Sequence, residues 1–153
     1  MLVLSPGAYA ACTDPARPKV NWQRCDLTGR NLANSDLAEA RLRDARFIRA
    51  NLSKANLLKV KADRAKFINA QAIGAQFEEA ELRGADFTKA NLAHTSFVRA
   101  DLRRARLFRA NLVGSNLTGA RLDGADLLNA DLSGVLWIDG QTVCAKGSIG
   151  QCQ

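Results

Sequence analysis

An all-β solenoid is the fold class that this 153-residue sequence predicts, and the first observation behind it is a repeat. From Cys25 to Asp139 the chain runs in twenty-three five-residue units without insertion or deletion, each built on a central apolar residue. Ala50-Asn51-Leu52-Ser53-Lys54, Ala85-Asp86-Phe87-Thr88-Lys89 and Ala130-Asp131-Leu132-Ser133-Gly134 show the form, with a small residue two places before the centre. The second observation is the period itself. A helix turns about 100° per residue and would scatter successive centres around its circumference. A flat strand alternates faces, so an odd period would send neighbouring centres to opposite sides. The chain must turn a corner once per unit, and such a coil buries its apolar residues only by stacking on the next.

The third observation fixes the coil length. At a spacing of twenty residues Phe47, Phe67 and Phe87 fall on one face, and Phe77, Phe97 and Trp137 on the opposite one. The same spacing lines up Asn31, Asn51, Gln71, Asn91, Asn111 and Asp131, and gathers Ser35, Thr95, Ser115 and Val135 at one corner. A fifteen-residue coil scatters all three sets. Arg30 and Val60 replace the usual Ala, as Val135 does, and two centres shrink to Ala62 and Ala72. Those two centres share a coil with Phe67 and Phe77, whose rings would fill the volume left open.

These units resemble the pentapeptide-repeat family, in which Leu or Phe follows an Ala and an Asp or Asn. The resemblance covers about three quarters of the chain. It implies a right-handed quadrilateral parallel β-helix, here of about 5.5 coils with 20 residues per coil, and the inter-strand spacing of about 4.8 Å sets the rise. Its best-known activity is DNA mimicry, in which an acidic rod binds DNA gyrase. A chain of net charge +7 offers the wrong sign for that role.

The repeat, residues 25–139, is flanked by two short segments that read as caps. Residues 11–24 hold Pro15, Pro18 and Trp22; residues 140–153 hold three glycines with Cys144 and Cys152. An open coil end exposes apolar interior and unpaired backbone, so a cap is expected at each end. Four cysteines allow three pairings, and their separation into terminal pairs favours Cys12–Cys25 and Cys144–Cys152. Each bridge would tie a cap that has little core of its own. Neither pair has the close spacing of a structural zinc site, so no metal is expected. Acylation of Cys12 would leave Cys25 unpaired.

An even cysteine set confined to caps points to an oxidising compartment, periplasmic or secreted. Residues 1–10 agree in part, because Ala8-Tyr9-Ala10 has the small-x-small form of a signal cleavage site, although the basic segment is missing. They read either as a residual signal-like segment or as a tail. No apolar run approaches the ~20 residues of a membrane span, so a soluble chain without a transmembrane segment is expected.

No catalytic constellation is present, and no enzyme activity or cofactor is expected. The single histidine, His94, sits at an outward place, and most carboxylates occupy the position before the centre, where the repeat itself asks for Asp or Asn. The glycines that end units suit tight corners rather than a phosphate loop.

Charge placement is the unusual feature. Arg41, Arg43, Arg46 and Arg49 form one band, and Arg103, Arg104, Arg106 and Arg109 recur 60 residues later at the same corner, with Lys61, Arg64 and Lys66 between them. Ile48, Ile68, Phe108 and Leu128 align beside the band as outward apolar residues, and Asp36, Glu39, Glu78, Glu79 and Asp139 lie opposite. These Arg and Lys residues with Phe108 are the candidate binding face. Its expected partner is an acidic protein or a polyanionic envelope polymer. Nucleic acid is disfavoured, since outward aromatics for base stacking are nearly absent. The alternative is a structural spacer whose surface charges only keep it soluble. Oligomeric state is left open.

Overall fold

The computed structural model describes residues 11–153; the expectation for residues 1–10 lies outside the described residues. Single-residue parallel β-bridges join positions twenty apart throughout, from Asn21↔Arg41 to Asn116↔Leu136. They form four rungs per coil and hence four faces. The first face carries the rung Asn21–Arg41–Lys61–Glu81–Asp101–Arg121, and the second Asp26–Arg46–Lys66–Asp86–Arg106–Asp126. The third carries Asn31–Asn51–Gln71–Asn91–Asn111–Asp131, and the fourth Asp36–Asn56–Gln76–Ser96–Asn116–Leu136.

The backbone bonds repeat in the same register. Each central N–H from Trp22 to Leu117 donates to a carbonyl one coil on, as Leu27 does to Arg46 at 2.7 Å, and the residue before a centre donates one coil back, as Arg46 does to Cys25 at 2.9 Å. The corner is a turn closed by the next unit's first N–H, for example Ala50 to the Phe47 carbonyl at 3.1 Å. Asp or Asn before the centre braces that turn with its side chain. Asn51, Asp86 and Asn111 each accept the N–H two residues on, from Ser53, Thr88 and Val113, at 3.0 Å.

Every unit-ending residue from Lys19 to Gly134 has a positive φ, between 55° and 70°. Glycine suits that conformation, yet Lys, Arg, Glu, Asn, Asp and His occupy most of the places. Their stems lie over the same place in the following coil: an added Cβ on Gly74, Gly84 or Gly124 would sit 3.7, 3.6 or 3.5 Å from the Cγ of Lys54, Arg64 or Arg104.

The centres and the small residues line one interior. Phe47, Phe67 and Phe87 stack at centroid separations of 5.1 and 4.7 Å, and Phe77 stacks on Phe97 at 5.2 Å. The two stacks meet edge to face, Phe67 against Phe77 at 5.8 Å, over the level where Ala62 and Ala72 leave room. Thr95 spends its buried hydroxyl on the Ala72 carbonyl at 2.7 Å.

At the N-terminal end the expected repeat boundary at Cys25 is one unit late. Val20-Asn21-Trp22-Gln23-Arg24 is already a unit: Asn21 pairs with Arg41, and Val20 and Trp22 are buried. Val stands there for Ala as it does at Val60, and Trp for Leu, so the unit's composition hides it. Cys12 is bonded to Cys25, which occupies a buried inward place of the next unit. At the other end the chain reverses. Val143 pairs antiparallel with Leu136 and Ile149 with Asp131, and Cys144 is bonded to Cys152.

Candidate binding surface

The coil sorts outward residues by face, and the candidate residues all fall on the first two. Arg41 and Lys61 stand before centres of the first face, with Arg43 and Arg103 after centres, and Arg64 and Arg104 at its corners. On the second face Arg46, Lys66 and Arg106 stand before centres, Phe108 after one, and Arg49 and Arg109 at corners. The third face carries only Arg30, Lys54 and Asp131 as charged residues. The fourth holds Asp36, Glu39, Glu78, Glu79 and Asp139 with Lys59 and Arg99, of which Arg99 donates to Glu79 at 2.9 Å.

Neighbouring carboxylates engage part of the band. Arg64 grips Asp44 with two bonds, at 2.8 and 3.0 Å. Arg103 donates from Nε to Asp101 at 2.7 Å, and the same carboxylate accepts the Arg103 backbone N–H at 3.2 Å. The Arg103 side-chain hydrogen bond is the main cause that holds the Asp101 carboxyl down at about 2, aided by the charge of Arg83. Arg43 lies 3.6 Å from Asp63, Arg106 3.8 Å from Asp86 and Arg46 3.9 Å from Asp26. Among the described residues Arg41, Arg49, Lys61, Lys66, Arg104 and Arg109 make no ion pair within 4.0 Å. The unpaired cations are therefore a subset of the predicted set. Residue spacing alone could not separate them, because pairing depends on how side chains reach across coils.

The apolar stripe is smaller than its alignment implies. Ile48, Ile68 and Phe108 are half-buried, and the Arg109 guanidinium lies over the Phe108 ring at 5.2 Å. Leu128 alone in that row is strongly exposed, at 61%. Arg83, which the sequence also puts on the basic side between the two bands, faces Asp101 at 3.6 Å and lines a depression beside Gly84. The lack of a side chain at Gly84 opens that depression between Arg64 and Arg104. Among the described residues no group of His, Cys, Asp and Glu is arranged to hold a metal ion.

A four-sided coil of five-residue units, basic on two adjacent sides, defines the class of protein. Models described as "Pentapeptide repeat region" match residues 19–97 and 40–117, and one described as "Pentapeptide repeats (8 copies)" matches residues 100–136. The chain belongs to the pentapeptide-repeat family.

Solved structures agree on the fold. HetL, a pentapeptide repeat protein involved in heterocyst differentiation regulation from the cyanobacterium Nostoc sp. strain PCC 7120, is 26% identical with a TM-score of 0.59; the match covers 82% of this chain and 68% of that one. A pentapeptide repeat protein from the Arabidopsis thaliana thylakoid lumen is 24% identical, covering 85% of each chain with a TM-score of 0.51. Full-length QnrB1, a plasmid-mediated fluoroquinolone resistance protein, is 21% identical over 85% of this chain and 81% of its own, with a TM-score of 0.51. No curated protein matches the sequence.

Proposed function

We propose that this protein is a non-enzymatic binding rod of an extracytoplasmic compartment, whose first and second faces dock an acidic protein or a polyanionic envelope polymer. One observation carries the reading. The place before a centre is where Asp or Asn braces the turn, yet Arg41, Lys61, Arg121, Arg46, Lys66 and Arg106 occupy it on the first two faces. Neither Lys nor Arg occupies that place on the third or fourth face. A cation there forgoes a local hydrogen bond, and local rules are broken most often where a surface has another task. Charges needed only for solubility would be spread over all four faces.

Two disulfides support the compartment. We take the coil to be right-handed and about 5.5 turns long, as the family resemblance implies, with strands about 4.8 Å apart. The net charge of +7 speaks against an acidic mimic of DNA.

The test is capture from an envelope extract by the oxidised protein beside a variant with Lys61, Lys66, Arg104 and Arg109 replaced by Glu. All four side chains lie outside the core and make no ion pair, so the variant should fold. A ligand retained by the parent and lost by the variant supports the reading. Equal recovery by both proteins would leave the spacer as the better account.

A further inference from the structure

A cradle of three arginines occurs twice on the first face, once around a carboxylate and once around a glycine. The corner places of that face run Arg24, Asp44, Arg64, Gly84 and Arg104. Asp44 accepts two bonds from Arg64, one coil later, at 2.8 and 3.0 Å. The Arg64 hydrogen bond, ahead of the charges of Arg24 and Arg43, holds the Asp44 carboxyl below its ordinary range. Forty residues on, Arg64, Arg83 and Arg104 take the places of Arg24, Arg43 and Arg64, and the residue among them is Gly84. The arginines recur and the carboxylate does not.

Corner arginines in this coil reach back to the corner carboxylate before them. Arg64 does so to Asp44, and on the fourth face Arg99 does so to Glu79 at 2.9 Å. Arg104 has only Gly84 behind it, and it makes no ion pair within 4.0 Å among the described residues. Arg64, Arg83, Gly84 and Arg104 instead line a depression of about 610 Å³, inside the range of about 300–1,000 Å³ usual for small-molecule sites. A Cβ on Gly84 would meet only the Arg64 Cγ, at 3.6 Å, and its φ of +65° is close to the 60° of Asp44. The corner can therefore hold a carboxylate that the chain does not supply.

On the reading of the first two faces as a docking surface, we propose that this depression binds an acidic sugar unit of a polysaccharide, its carboxylate over Gly84 bonded by Arg104 and flanked by Arg64 and Arg83. The remaining walls select the sugar. Asp63, Glu81 and Asp101 also line the depression. Asp63 and Asp101 face Arg43 and Arg83 at 3.6 Å, whereas Glu81 makes no ion pair among the described residues. Glu81 accepts hydrogen bonds and repels further negative charge. A polyphosphate brings acceptors alone, and an acidic protein side chain fills the seat without offering a hydroxyl. A uronate ring carries both parts: a carboxylate for the planar guanidinium of Arg104 and hydroxyls that donate to Glu81.

The experiment is calorimetric titration with oligomers of galacturonate and of glucuronate, beside their methyl esters, inorganic polyphosphate and poly-aspartate. A uronate oligomer should bind the parent, and its ester, which keeps the hydroxyls and lacks the charge, should not. Arg104→Gln should weaken that binding about tenfold or more. Gly84→Asp should weaken it about as much, because its own carboxylate occupies the seat; the same conformation already holds Asp44. Gly29→Asp adds the same charge to the second face, where an added Cβ meets nothing within 4 Å, and should leave binding within about twofold. Parent-like binding by Gly84→Asp, or no binding of either uronate, overturns the site. Capture from the envelope extract then tells the two readings apart: the wider surface stands if the parent still outdoes the four-Glu variant, and falls with the site if it does not. Poly-aspartate bound as tightly as the uronate and equally weakened by Gly84→Asp would overturn the sugar assignment in favour of an acidic protein. Polyphosphate behaving in that way would overturn it in favour of charge alone.

Discussion

Gly114→Ala tests the stacking of corners, on which the aim of every corner cation depends. Gly114 has φ +65°, and a Cβ built there would lie 2.7 Å from Nδ1 and 2.8 Å from Cε1 of His94, one coil earlier. Gly29 is the control, because it has φ +69° and nothing within 4 Å of an added Cβ. Alanine at Gly29 meets backbone strain alone, about 1–2 kcal/mol for a left-handed L-residue, offset by up to about 1 kcal/mol from a less flexible unfolded chain. Its net cost is expected near 1 kcal/mol. Alanine at Gly114 carries the same strain and must also push the imidazole off its seat, which adds about 0.5–1.5 kcal/mol if the ring is driven from a staggered rotamer. His94→Ala combined with Gly114→Ala should bring the cost back to the Gly29 value. Urea unfolding followed by circular dichroism measures all four proteins, and each kcal/mol corresponds to about 2–4 °C in Tm for a chain of this size. Equal losses at Gly29 and Gly114, or no recovery on removing His94, would refute the corner stacking. The placement of Arg64 over Gly84 and of Arg104 over Gly124 would fall with it.

Two further outcomes follow from the same geometry. Cys12→Ala opens a loop of 13 residues while leaving the buried Cys25 as a small apolar side chain; chain entropy puts the loss at about 3 kcal/mol, and slightly less for Cys152→Ala with its separation of 8. A melting temperature unchanged by reductant would show that neither bridge contributes and would weaken the extracytoplasmic assignment. Asp101, held at about 2 by Arg103 against an ordinary 3.8, is a depressed carboxylate, so its contribution is complete above pH 4 and is lost as pH falls toward 2. Arg103→Gln should return the Asp101 carboxyl toward its ordinary range in a carbon-detected titration, and an unshifted inflection in the parent would contradict the Asp101–Arg103 bond.

The interior was legible in the sequence because burial in this fold depends on place within a unit and hardly on context. Leu, Phe and Ala at their expected places are buried except at Leu122, Ala125 and Leu127 in the last coil, and even the shrunken centres Ala62 and Ala72 keep the register. Corner conformation was not legible. Glycine marks only some corners, and Arg49, Glu39 or Lys59 takes the same positive φ because the coil above and below imposes it. The unit at Val20–Arg24 was obscured by substitution of both marker residues. The reversal of the cap was hidden for a different reason: Gly140 and Gly147 announce turns, but which edge the returning chain covers depends on where the coil stops. Of the charged surface, the face was legible from spacing, whereas the division into paired and unpaired cations required side chains that reach twenty residues along the chain, as Arg64 does to Asp44.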